Sequence, residues 1–181
     1  MKKFELTAEF VTNVFGKKLF RIKALVAFGN VEKGELGGFI EKEDNLSHDG
    51  DAWVYGDAWV YGDARVYGGA RVSGDAQVSG NARVSGDAWV SGDAWVYGDA
   101  RVYGNADYAA VAGFGRYSRT TTFFRCKDKI LRVQCGCFYG DLAQFREIVK
   151  KTHGDSKYAK EYLAIADLME LHFSDECGGE Q

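Results

Sequence analysis

Apolar positions in the middle of the chain recur every six residues. From Asp51 to Asn105 the unit is Gly–Asp–Ala–x–Val–Tyr/Ser. Val54, Val60, Val66, Val72, Val78, Val84, Val90, Val96 and Val102 mark nine successive units. Ala and Val are two apart, so both face one side of an extended strand, while x and Tyr/Ser face the other. Gly supplies the positive φ of a bend, and the Asp after it offers a carboxylate to nearby backbone. One flat stretch and one corner per six residues predicts a solenoid. Three such sides predict a triangular coil of about 18 residues, with coils stacked at roughly 4.8 Å. Val then sits on Val and Ala on Ala down a dry, narrow axis.

The segment "GGFIEKEDNLSHDGDAWV" reads as an imperfect opening coil, with two residues inserted near Ser47–His48. That gives about four coils, roughly 20 Å tall on the strand spacing. Open ends of a β-solenoid are exposed edges and need caps. "KFELTAEF" and "KKLFRIKALVAF" flank "NVFGKK" and predict a hairpin over the first coil. "TTTFFRCK" and "ILRVQCGCF" predict a second hairpin turning at Asp128. Asp141 with Gln144 is a capping-box pattern that opens a helix with Leu142, Phe145, Ile148 and Val149 as its stripe, closed by Gly154. A second helix is predicted from about Ser156 to His172, with Tyr158, Tyr162, Ile165 and Met169 on one face. The expected organisation is a β cap over 1–37, the β-helix over 38–110, an α/β cap or docking module over 111–173, and a loose tail over 174–181.

Composition narrows the functional classes. There is no Pro among 181 residues, so every turn falls to Gly, Asn or Asp. The net charge is −3, and all of the excess lies in the repeat, where 4 Arg face 7 Asp. So mild a balance argues against a nucleic-acid mimic and against general nucleic-acid binding. The N-terminus lacks the apolar core of a signal peptide, and no run has the length of a membrane span. Four Cys without framework spacing read as free thiols, so the expected location is the cytoplasm. Cys135 and Cys137, two apart on one strand face, read as buried thiols rather than a metal site. No cofactor is called for.

Units such as "VSGDAR" and "VSGNAR" resemble the hexapeptide repeat, whose pattern is aliphatic, small, two free positions, small, one free. The resemblance spans about residues 38–108. It implies a three-sided parallel β-helix with left-handed crossovers favoured, the right-handed bactofilin type being the alternative. Many members of that family are acyltransferases and trimers. Such an activity would rest on a His base, and His48 is the His near the repeat. Tyr at the second position (Tyr55, Tyr61, Tyr67, Tyr97, Tyr103) departs from the family preference for small residues. The stretches "GELGGFIEKEDNLSH" and "CGCFYGDLAQFREIVKKTHGDSKYAKEYL" are similar to a group of proteins from bacteriophages and prophages of gut bacteria. That likeness implies a context, the bacterial host, and no activity.

The outward x positions carry the candidate chemistry. By side they run Trp53, Arg71, Trp89; then Trp59, Gln77, Trp95; then Arg65, Arg83, Arg101. All four Trp are expected to point away from the core. Arg71 between two indoles predicts a cation–π sandwich. An Arg column stacks like charges, which Asp63 and Asp99 at the corners are expected to offset. The bland reading of these columns is ladder stabilisation. The sharper one is an interface, since Trp, Tyr and Arg dominate hot spots. A second basic run, Arg116, Arg119, Arg125, Lys127, Lys129 and Arg132, lies beside Phe123 and Phe124 and could grip nucleic acid or a nucleotide; its bland reading is a solvated hairpin. Together these features predict a non-enzymatic binding or inhibitor protein, phage-borne and blocking a host defence component. Its partner would be a host protein or protein–nucleic-acid complex, with self-association into a dimer or trimer. A sponge for a signalling nucleotide, a hexapeptide-type acyltransferase and a structural phage protein are the alternatives.

Overall fold

Each repeat unit extends for two residues before its glycine turns the chain, and that rhythm closes the tube. The computed structural model describes residues 1–174. The expected loose tail, Ser174 apart, lies outside them. The chain opens with β1 (Phe4–Thr12) and β2 (Lys18–Ala24), an antiparallel hairpin, followed by β3 (Leu36–Ile40). Nine two-residue strands follow: β4 (Trp53–Val54), β5 (Trp59–Val60), β6 (Arg65–Val66), β7 (Arg71–Val72), β8 (Gln77–Val78), β9 (Arg83–Val84), β10 (Trp89–Val90), β11 (Trp95–Val96) and β12 (Arg101–Val102). At the corners Gly50 to Gly98 hold φ between +59° and +72°, the region that an L side chain enters only at a cost.

The sides assemble in the predicted register. Side one stacks β4, β7 and β10; side two stacks β3, β5, β8 and β11; side three stacks β6, β9 and β12. Val54 lies on Val72 and Val72 on Val90. Ile40 pairs with Val60, and Leu46 with Val66, so the first coil carries the two extra residues. Every inward Ala and Val of the repeat is at most 1% exposed. The tube is a β-solenoid of about four turns.

Bonds between coils have a direction. The N–H groups of Asp51, Trp53 and Tyr55 donate to the carbonyls of Gly68, Ala70 and Val72, and the pattern repeats coil by coil. The first coil is therefore left with carbonyls that no coil precedes. Lys3 Nζ donates to Gly50 O at 3.1 Å and Ala52 O at 2.9 Å. Asn45 Nδ2 donates to Gly62 O and Ala64 O at 3.1 and 2.9 Å. Arg21 Nη1 does the same for Gly56 O at 3.2 Å. The N-terminal hairpin was expected to lie over the first coil. It meets that coil edgewise, extending side two through β2 and β3, with its Phe4 end in the tube's core.

The other end is left mostly with N–H groups, and acceptors meet them. Trp89 N donates to Asn105 Oδ1 at 2.7 Å, Trp95 N to Thr122 Oγ1 at 3.1 Å, and Ser91 N to Tyr108 Oη at 3.3 Å. Thr122 belongs to a four-stranded antiparallel sheet: β13 (Tyr108–Phe114), β14 (Arg119–Arg125), β15 (Leu131–Cys135) and β16 (Phe138–Asp141). The predicted second hairpin is its centre, β14–β15; β13 and β16 flank it. Strand alternation divides the labour on β14. Phe124 packs with the tube, while Phe123 packs with the helices. Those are α1 (Leu142–His153) and α2 (Lys157–Phe173). The Asp141–Gln144 capping box opens α1, with bonds of 2.8 and 3.0 Å. The helices pack on the sheet through Leu142, Phe145, Val149, Tyr162, Ile165 and Met169. Ile148 and Tyr158, expected in these stripes, are each 37% exposed.

Two outcomes are expected. A Cβ at Gly92 would meet nothing within 4 Å, so Gly92→Ala should cost only the φ strain, about 1–2 kcal/mol in urea denaturation. A Cβ at Gly86 would collide with the Tyr103 carbonyl, and Gly86→Ala should cost clearly more. Separately, burial pushes the Lys3 ammonium down to about 8, against the pull of Asp51 and Asp49. The unfolded chain then binds more protons than the folded one between about pH 8 and the ordinary lysine value. Folded stability should rise with pH across that window, relative to a Lys3→Met variant, and the difference should be flat below it.

Candidate binding surfaces

The predicted columns exist, but the caps claim parts of them. On side one Arg71 pairs with Trp53 above and Trp89 below. Trp53, expected to face solvent, is 0% exposed. It points out of the tube, yet Phe4 and Phe28 cover it edge-on, at 6.2 and 5.4 Å between centroids. No indole of the described residues takes part in a cation–π contact; the cations lie over Phe and Tyr rings. The Arg71 sandwich is thus not formed. Trp89 remains 51% exposed, its Nε1 bonded to Ser73 Oγ at 2.9 Å. On side two Trp59 is half-buried against Leu19, Phe39 and Tyr61, and Trp95 is half-buried lower down.

Side three carries the Arg column in register, Arg65 on Arg83 on Arg101. The corner carboxylates do not pair with it. Asp63 is held by Lys42 at 2.7 Å, which keeps its carboxyl below the usual range with a smaller pull from Arg65. Asp99 Oδ1 accepts from Asn81 Nδ2 at 3.2 Å. Nor, among the described residues, does any corner Asp of the repeat bond nearby backbone through its side chain; Asp57 meets Arg21 at 3.3 Å instead. Arg101 is half-buried and donates to Asn81 O and Ala100 O at 3.0 and 2.9 Å. Arg65 and Arg83 are exposed, and their guanidiniums make no hydrogen bond or ion pair among the described residues. They border a cavity of about 390 Å³ that also holds Lys42, Asp63, Asp99, Arg101 and Lys127. A second, of about 600 Å³, lies between them, Tyr67 and His48.

The basic run divides. Arg116 and Arg119 stand at one end of β14, both over the Tyr117 ring. Arg125, Lys127, Lys129 and Arg132 cluster at the other end, roughly 20 Å away on the rise of a seven-residue strand. Arg132 is paired with Asp128 at 2.7 Å, and Arg125 Nη2 donates to Phe173 O at 2.8 Å. A single grip by all six is not built. What the fold brings together instead is Lys127 and the Arg column.

His48 Nδ1 accepts from the Lys3 N–H at 3.1 Å, and its ring stacks on Phe4 at 4.3 Å. Its Nε2 lies 4.0 Å from Glu43. Cys135 and Cys137 do not share a strand face. The chain reverses at Gly136, φ +60°, leaving Cys135 half-buried and Cys137 exposed. Among the described residues no group of three or more His, Cys, Asp or Glu is placed to hold a metal. Likewise, no helix among them is long and apolar enough to cross a membrane.

The family model described as the YdcK beta solenoid repeat matches residues 58–74 and 76–92. Both stretches lie within the coils, so the likeness concerns the repeat and not the surfaces it carries. No curated protein matches the chain.

An unpartnered cation column should cost stability. Arg83→Gln is expected to stabilise the fold by about 0.2–1 kcal/mol at low salt, and the gain should vanish in high salt. Thermal unfolding at two ionic strengths measures both.

Proposed function

We propose that this protein is a non-catalytic binding protein whose side three docks an anionic surface on a partner. The Arg65–Arg83 pair carries the reading. Two exposed guanidiniums are held at strand spacing by the backbone beneath them, and neither forms an ion pair among the described residues, Asp63 acting on Arg65 only through space. An anion from outside would relieve that repulsion and meet planar forks suited to carboxylate or phosphate. The side is rigid, so little ordering is lost on docking. Lys127 extends it below and Tyr67 flanks it. The exposed Trp89 on side one offers an anchor to a second copy or to the same partner.

The likeness to phage and prophage proteins supports a role as a phage-borne inhibitor in the bacterial cytoplasm. The partner of this reading is a host defence component, a nuclease or effector complex, whose acidic surface or bound nucleic acid supplies the anion. Expression of the protein should then raise phage plating on a defence-bearing strain, and an Arg65→Ser/Arg83→Ser variant should lose that effect with its fold intact. Protein captured from the same cells should carry the defence complex only with the native side three. Equal protection and equal capture by the double variant would reject this surface.

A further inference from the structure

The C-terminal sheet has an edge that nothing guards. β13 has β14 on one side and no strand on the other. Such an edge presents a row of N–H and C=O groups, which proteins blunt with charge or cover. The free-edged β1 carries Glu5 and Glu9, and β16 ends in Asp141 and leads straight into α1. β13 reads YAAVAGF, without a charge, and its Ala110, Ala112 and Phe114 are exposed. Among the described residues, nothing outside the sheet hydrogen-bonds to Ala109, Ala110, Val111, Ala112 or Gly113.

The helix over this edge is bare on the same flank. α2 runs antiparallel to β13. Glu161 Oε2 accepts from Gly115 N at 3.0 Å, just past one end of the strand. Phe173 O accepts from Arg125 Nη2 at 2.8 Å near the other end, where Tyr108 pairs with Phe124. His172 borders an open space of about 620 Å³ together with Ala109, Ala110, Ala112 and Trp89, so this flank of α2 looks out past β13. Leu168 is seven residues from Glu161 and four from His172, which sets it on the same line of the helix. It is 57% exposed, and Leu171 is 71% exposed. With the exposed Ala164 they form an apolar stripe at i, i+4 and i+7.

We infer that β13 and α2 form a two-fold interface with a second copy of this chain. β13 pairs antiparallel with its own counterpart, joining the two four-stranded sheets. A backbone edge is self-complementary, and this strand brings no like charges together. A partner strand bearing charge would find none to meet here. The same axis lays α2 antiparallel to α2 of the second copy, with the Leu168 side chains meeting between them. Each Glu161 is then faced by His172 of the other copy rather than by its own equivalent, and the helix dipoles oppose. Pairing uses up the free β13 edges, so association stops at two. The interface uses neither Arg65 nor Arg83 and leaves side three open.

Sedimentation velocity of the native protein across a concentration series should show a reversible monomer–dimer equilibrium. Leu168→Glu sets like charges against each other across the axis and should weaken the dimer about a hundredfold. Ala112→Lys gives the edge its missing guard and should weaken it as well. Arg65→Ser/Arg83→Ser should dimerise as the native protein does. Hydrogen exchange supplies a readout on native protein alone, should a variant fail to fold. The β13 amides should be protected where the dimer dominates and exchange faster after dilution. A protein that stays monomeric at every concentration overturns the inference. So does a dimer left intact by either introduced charge, one lost with the side-three pair, or one whose β13 amides exchange as fast as the monomer's.

Discussion

A parallel ladder wound into a tube has two chemically different ends, and the rest of this structure answers that difference. Each coil donates through its corner and strand N–H groups to the carbonyls of the next. The first coil therefore presents carbonyls, and the last presents mostly N–H groups. Buried backbone groups must be paired. At the carbonyl end the partners are an ammonium, an amide and a guanidinium, from Lys3, Asn45 and Arg21. At the N–H end they are the oxygens of Asn105, Thr122 and Tyr108. Tyr108 does both jobs: its hydroxyl accepts from Ser91 N and donates to Trp89 O at 2.6 Å.

The caps also determine which surfaces remain for partners. The first turn of side one disappears beneath Phe4 and Phe28, and side two is extended by the N-terminal hairpin. Side three receives no strand at its edge, only the short Glu43–Asn45 turn above and the Cys126–Lys127 turn below. It is the side with a cation at all three outward positions of the ladder. Uncovered outward side chains thus persist where capping is lightest.

Much of this was legible from the six-residue period. It placed every inward Ala and Val, assigned each outward residue to its column, and located the longer first coil. The capping box and Gly154 fixed α1 for local reasons that need no tertiary knowledge. What period cannot show is what lands on an outward position. Trp53 is buried by Phe4 and Phe28, well earlier in the chain, and its own unit, GDAWVY, is the same as that of the half-buried Trp59. The basic run looked compact because seventeen residues are close in sequence, yet an intervening strand separates its ends. "CGC" read as strand, but Gly136 with positive φ made it a turn. A groove on side two draws on the hairpin tip, the coils and the β15–β16 turn, which meet only in the fold.

Side three and the groove share one edge of the tube, the corners at Gly62–Asp63 and Gly80–Asn81. A nucleotide spanning the edge would set its base in the groove and its phosphates on Arg65 and Arg83. The shared corner argues against it. The phosphates would pass Asp63 and Asp99, whose charges are only partly answered by Lys42 and Asn81. Like charge at such short range opposes the passage, while the rigid coils leave no loop to move aside. An anion fixed to a larger partner, approaching side three from outside the corner, avoids that passage.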